Sequence, residues 1–190
     1  MPEQKFDESV RGHEGFGLIQ VFTGDGKGKT TSAIGTMLRA HAAGRKVGFV
    51  YFDKGGDVHY SERKIFDEID IKYYVTGRDR IHPITNAFDF SIKEIDKKEG
   101  KKGLLYIEQM FTEKYDLIVM DEINSSAALG IVSVQAVLNL IDNKPKTTEL
   151  ILTGRNAPNE FLNKANLITE MCLKKHYFYS GVKAREGLDF

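Results

Sequence analysis

The chain has 190 residues, 41% hydrophobic and 28% charged, a length and composition that fit one globular domain with a core of its own. Its 27 basic and 27 acidic residues cancel, which excludes the global positive field of a non-specific nucleic-acid binder. No stretch approaches the roughly 20 apolar residues of a membrane span, the start MPEQKFDESVRGHEG is too charged for a signal peptide, and the one cysteine, Cys172, has no partner for an internal disulfide. These features lead to the expectation of a cytoplasmic protein that engages neither nucleic acid nor membrane.

In chain order, residues 1–15 are polar without a clear period and read as a mobile arm or an exposed helix. Residues 16–190 read as a single nucleotide-binding α/β domain. GLIQVF, from Gly17 to Phe22, is a short apolar run of the buried-strand type. TTSAIGTMLRAHAAG follows as a helix with Ile34, Met37, Leu38 and His41 on one face and Gly44 as its stop. KVGFVYF is a second strand, YSERKIFDEI an amphipathic helix and IKYYV a third strand. Residues 76–103 mix a loop with a charged helix broken at Gly100, and the loop around 76–90 is the best place for a substrate-specific insertion. YDLIVMDE is a strand that ends on two carboxylates. VQAVLNLID is helical, ELILTG a strand, NEFLNKA a short helix and LITEMCL a final strand, with Cys172 expected as a buried, inert thiol. Strands alternating with helices imply right-handed crossovers and a mostly parallel sheet covered on both faces, with ligands outside the carboxyl ends of its strands.

The stretch VFTGDGKGKTTSAIG, Val21 to Gly35, carries the chemistry. A phosphate-binding loop needs backbone N–H groups turned inward, positive φ at some positions, and a helix starting directly behind it. It also needs a lysine for the outer phosphates and a hydroxyl for magnesium. Gly24, Gly26 and Gly28 supply the backbone around Asp25 and Lys27, Lys29 the charge and Thr30 the hydroxyl, while Thr31 and Ser32 start the helix. The usual pattern GxxxxGK[ST] has glycine where this chain has Thr23; strand before and helix after supply the P-loop context. In YDLIVMDE, Asp121 and Glu122 stand where a carboxylate beside the first strand can hold the ion, directly or through water.

These parts specify polyphosphate plus a divalent ion, and leave open which bond breaks. A kinase or ATPase breaks a P–O bond and needs a base or a water-positioning residue. An alkyl transferase uses the whole triphosphate as its leaving group, with loop and metal stabilising the departing oxygen. A nucleotide-gated binding protein would break neither.

The segments FTGDGKGKTTSAIGTMLRAHAAGRKVGFVYFDKG, DLIVMDEI, LILTGRNAP and LITEMCLKKHYFYSGVKAREGLDF resemble, in order and spacing, the cob(I)yrinic acid a,c-diamide adenosyltransferases of the ATP:corrinoid type. The resemblance covers residues 16–56 and 115–190, and the tail with Gly181, Lys183, Ala184, Gly187 and a terminal aromatic is its most specific part. It implies a homodimeric P-loop enzyme of cobalamin biosynthesis that transfers the 5′-deoxyadenosyl group of ATP to cobalt(I) of a corrinoid and releases triphosphate. It further implies that ATP lies reversed in the loop, that a reductase or flavoprotein supplies the electrons, and that Mg2+ or Mn2+ is present. Carried over by position, Gly24, Asp25, Gly26, Lys27, Gly28, Lys29, Thr30 and Thr31 bind phosphates, with Lys29 and Thr30 acting on the leaving group. Thr30, Asp121 and Glu122 hold the metal, and Arg155 and Lys183 add contacts near the nucleotide. The chain departs from the family in having TGRDRIHP where members carry a TGFTW-like stretch whose aromatics wall the corrinoid, INSSAA where they have LTYA-like residues, and no tryptophan. Phe88 and Phe90 read as core packing or as a rebuilt wall, and His82 as loop surface. His176 matches a family histidine.

Overall fold

A computed structural model describes residues 7–56, 60–80, 84 and 89–189. Six strands form one sheet: β1 (Ile19–Thr23), β2 (Val47–Tyr51), β3 (Lys72–Val75), β4 (Leu117–Asp121), β5 (Glu149–Thr153) and β6 (Leu167–Glu170). Their order is β3-β2-β4-β5-β1-β6, and every pairing is parallel. Strands β2, β4 and β5 are buried along their whole length, which is why they read as continuous apolar runs rather than alternations.

Among the described residues six helices cover the two faces: α1 (Lys29–Ala42), α2 (Glu62–Glu68), α3 (Glu94–Thr112), α4 (Ile123–Ala128), α5 (Val134–Asp142) and α6 (Asn159–Lys164). Ala33, Met37 and Ala40 of α1 and Phe66 of α2 pack with Phe22, Phe49, Tyr51, Val119 and Ile151 on one face. Leu104, Ile107 and Met110 of α3 join residues of α4, α5 and α6 on the other, against Val50, Ile118, Met120, Leu150 and Leu152. The α1 stripe at i, i+4, i+7 is turned slightly from the expected one, leaving Ile34, Leu38 and His41 half-buried. Gly44, with φ 76°, ends the helix as expected, its N–H donating to His41 O at 2.9 Å.

Three expectations are corrected. Helix α3 runs unbroken through Gly100 and Gly103. A Cβ on Gly100 would stand 2.7 Å from Val132 Cγ2, and one on Gly103 2.5 Å from the Phe52 ring, so these glycines let the helix approach the core closely. Strand β4 is not beside β1, because β5 lies between them. Cys172 is exposed, since it follows β6, an edge strand whose four residues are all exposed.

Helix α4 has no counterpart in the elements expected from sequence. Ahead of β1, the described part of the N-terminal segment holds one exposed 3-10 turn, Glu8–Val10, capped by the Asp7 carboxylate, which accepts from Ser9 N at 3.0 Å. No described helix is long and apolar enough to cross a membrane.

Candidate active site

Between β1 and α1 the chain makes the turn that the glycines require. Gly24 and Gly28 have φ of 93° and 119°, and Gly28 is the left-handed N-cap of α1. A Cβ on Gly24 or on Gly26 would stand 2.6 Å from Met171 O, and Gly26 N donates to that same oxygen at 2.6 Å. Two of the three glycines therefore also make room for the chain leaving β6. Thr23, the departure from the usual pattern, has a use of its own: its hydroxyl accepts from Ala157 N at 3.3 Å and ties the loop to the turn after β5.

Lys29 is buried and folds back over the loop, donating to Gly24 O at 2.7 Å and Gly26 O at 2.8 Å. Burial lowers its pKa, against the opposing charge of Glu122. Thr30 Oγ1 donates to Asp121 Oδ1 at 2.8 Å. The same carboxylate oxygen accepts from Thr153 Oγ1 at 2.6 Å, and Thr153 Oγ1 in turn accepts from Glu122 N at 3.0 Å. Glu122 is held in the left-handed region at φ 60°, a conformation uncommon for such a residue and concentrated at functional positions. Ser125 Oγ donates to its Oε2 at 2.5 Å.

Lys54 was absent from the residues expected here. Its Nζ lies 2.6 Å from Asp121 Oδ2, 3.8 Å from Glu122 Oε1 and 3.4 Å from Thr30 Oγ1. Burial alone would lower its pKa, but the Asp121 and Glu122 carboxylates outweigh this and hold it above the ordinary lysine range. The only sequence signal was a lysine directly after a buried strand, and it points into the site because β2 and β4 are neighbours with Tyr51 opposite Asp121. Thr153 and Ser125 were missed for the same reason: nothing in a local window shows that β5 stands between β1 and β4.

The remaining expected residues are spread around this centre. Thr31 and Asp25 are exposed. Asp25 lies 3.9 Å from Arg155 Nε, whose side chain is 62% exposed. Both line a cavity of about 540 Å³ with Glu170, Met171, Cys172 and Tyr179. Lys27 reaches the C-terminal tail, where it donates to Leu188 O, to the Asp189 carboxylate and, at 3.1 Å, to Tyr177 Oη. Lys183 is exposed in the same tail. His176 caps the 3-10 turn Tyr177–Ser180, its Nδ1 accepting from Phe178 N at 3.1 Å.

The TGRDR stretch turns inward. Arg78 bonds Asp96 at 2.9 Å and Asp89 at 2.8 Å, and Arg80 bonds Asp53 at 2.8 Å. These pairs tie the ends of β2 and β3 to the start of α3. Phe90 is 83% exposed, which corrects its expected core packing. His82 and Phe88 lie outside the described residues.

A family model described as ATP:corrinoid adenosyltransferase BtuR/CobO/CobP matches residues 15–190. The chain belongs to this family. It is 31% identical over 175 residues to the corrinoid adenosyltransferase of Escherichia coli K12, covering 92% of this chain and 86% of that one. It is 34% identical over 179 residues to that of a Sinorhizobium species, covering 92% and 80%. The corrinoid adenosyltransferase CobA of Salmonella typhimurium is 31% identical over 175 residues, with 92% and 86% covered. Within the corrinoid adenosyltransferase family frame, the match runs through the loop, the Asp121–Glu122 pair and the tail alike.

The donor set suits magnesium. Thr30, Asp121 and Glu122 offer a hydroxyl and two carboxylates, hard oxygen ligands of the kind magnesium takes, and Asp121 already attracts a cation, the Lys54 ammonium. Among the described residues no three His, Cys, Asp or Glu side chains gather around one point, and magnesium bound with a nucleotide requires only one or two carboxylates beside the phosphates.

Proposed function

We propose that this chain transfers the 5′-deoxyadenosyl group of ATP to cobalt(I) of a corrinoid and releases triphosphate. The observation that carries the reading is the family match across residues 15–190. In the step, the cobalt(I) electron pair forms the Co–C5′ bond while the C5′–O bond breaks and its pair leaves with the triphosphate. Cobalt is itself the nucleophile, so the protein has no proton to abstract. What it supplies is alignment and neutralisation of the leaving group.

The residues divide that work. The N-terminus of α1 and the loop of Gly24, Asp25, Gly26, Lys27 and Gly28 face the phosphates, with the Gly26 N–H given instead to Met171 O. Lys29 turns from the Gly24 and Gly26 carbonyls to the phosphate oxygens, and Thr30 and Thr31 stand at the first turn behind it. Thr30, Asp121 and Glu122 would hold Mg2+ or Mn2+, and the ion would supply positive charge beside the departing triphosphate. Arg155 and Lys183 add positive charge at the rim. ATP lies reversed, so that C5′ faces the corrinoid, which meets the TGRDR stretch where Arg78 and Arg80 are engaged with carboxylates.

Further expectations are a homodimer, an electron-donating reductase or flavoprotein that delivers cobalt(I), a cytoplasmic setting and a role in cobalamin biosynthesis. Exposed apolar residues on the β6 edge and tail, among them Leu167, Ile168, Phe178 and Tyr179, give a second copy something to bury.

The test is anaerobic: purified protein, ATP, magnesium and chemically reduced cob(I)alamin, followed by visible absorbance and product analysis. A light-sensitive adenosylated corrinoid with one triphosphate per turnover is expected. Release of ADP, or no cobalt–carbon bond with ATP binding intact, would overturn the reading.

A further inference from the structure

We propose that Lys54 holds the position of the divalent ion when no nucleotide is bound, and that the ion enters only by displacing the Lys54 ammonium. The inference rests on the metal reading given above. Lys54 Nζ is 2.6 Å from Asp121 Oδ2, 3.4 Å from Thr30 Oγ1 and 3.8 Å from Glu122 Oε1. These are the three side chains that would hold the metal, and the ammonium lies among all of them.

The arrangement is built. Asp121 is 0% exposed, and a carboxylate taken out of water requires a counter-charge. Thr30 and Thr153 satisfy one of its oxygens, and Lys54 takes the other. The backbone that aims Lys54 is clamped on both sides. Asp53 before it has φ 54°, Lys54 N donates to Thr76 O at 3.0 Å, and Lys54 O accepts from Arg63 Nη2 at 2.9 Å.

An ammonium and a divalent ion cannot share one carboxylate oxygen, because charges of like sign a few ångströms apart repel strongly in so sheltered a place. Binding of the ion is therefore an exchange. Without nucleotide, the displaced ammonium gives up Asp121 with no polyphosphate to receive it, and the exchange is unfavourable. With a triphosphate in the loop, the phosphate oxygens receive Lys54, so metal and polyphosphate bind as a unit. The device keeps a bare ion out of the empty site and places one more positive charge on the leaving group once the substrate arrives.

The experiment measures Mn2+ retained by the full chain on ultrafiltration, with and without tripolyphosphate. The proteins are the unaltered chain, Lys54→Met, Lys54→Gln and Lys54→Arg, each checked for native melting, and Asp121→Asn in the Lys54→Gln background. The neutral variants are expected to bind Mn2+ alone about tenfold tighter or more than the unaltered chain, with Lys54→Arg remaining weak. Tripolyphosphate should raise Mn2+ affinity more in the unaltered chain than in either neutral variant. Adding Asp121→Asn should abolish the gain. Equal Mn2+ affinity in the unaltered chain and both neutral variants, with Asp121-dependent binding in tripolyphosphate intact, overturns the placeholder role and leaves the metal reading standing. Failure of every protein to retain Mn2+ even with tripolyphosphate, or retention indifferent to Asp121→Asn, removes the metal reading and this inference with it.

Discussion

Thr30 Oγ1 donates to Asp121 Oδ1 at 2.8 Å, joining the first turn of α1 to the end of β4 across the intervening β5. Thr153, at the end of β5, fills the interval by donating to the same oxygen at 2.6 Å. A loop, a carboxylate and the strand between them thus form one hydrogen-bonded unit before any ligand arrives.

Asp121→Asn tests this unit. It removes a charge proposed to hold the metal and leaves the Lys54 ammonium without its closest carboxylate. Adenosyl transfer should fall by about a hundredfold or more in kcat/KM. Stability in urea should drop by about 3 kcal/mol, the usual cost of orphaning one half of a buried pair. An active, fully stable Asp121→Asn protein would place the metal elsewhere.

Lys29→Ala addresses the phosphate assignment. The ammonium now bonded to Gly24 O and Gly26 O is proposed to turn to the triphosphate. Its loss should remove about 2–4 kcal/mol of transition-state stabilisation. Steady-state kinetics with ATP and reduced corrinoid measure it, and a loss of tenfold or less would contradict the assignment.

The tail is tied to the loop through Asp189, which accepts from Lys27, Tyr177 and Arg185. The bond from Lys27 first, then that from Tyr177, holds its carboxyl well below the ordinary value of 3.8. A depressed carboxylate contributes stability that is complete above the unfolded value and is lost as pH falls from there through the folded one. The tail should therefore stay docked at pH 5 and loosen only below about pH 4. Asp189→Asn should loosen it at neutral pH. Hydrogen exchange of residues 176–189, compared with that of β4, reads both effects, and a tail indifferent to Asp189→Asn would show that the latch lies elsewhere.

Gly103→Ala should destabilise. In an exposed helix, alanine in place of glycine gains about 1 kcal/mol. Here the added Cβ would stand 2.5 Å from the buried Phe52 ring, and overpacking a filled core costs about 1–3 kcal/mol. Denaturant melts should show a net loss, whereas a stabilised variant would mean that Phe52 can move aside.

Much of the architecture was legible in the chain itself. The buried runs of β1, β2, β4 and β5, the loop glycines with Lys29 and Thr30, and the paired carboxylates are local signals, because strand burial, left-handed turns and helix starts depend on neighbouring residues. Helix α5 was delimited correctly as VQAVLNLID, and the structure adds the Ser133 cap, whose side chain accepts from Ala136 N. Only the tertiary structure decided what lies between distant segments. It placed β5 beside β4, carried Lys54 to Thr30, Asp121 and Glu122, and tied Lys27 to Asp189. It also turned Gly100 and Gly103 from apparent breaks into points of close packing. Each of these depends on which strands are neighbours and on how near a helix comes to its sheet, distances that the packing of the whole core sets and that no local window of sequence contains.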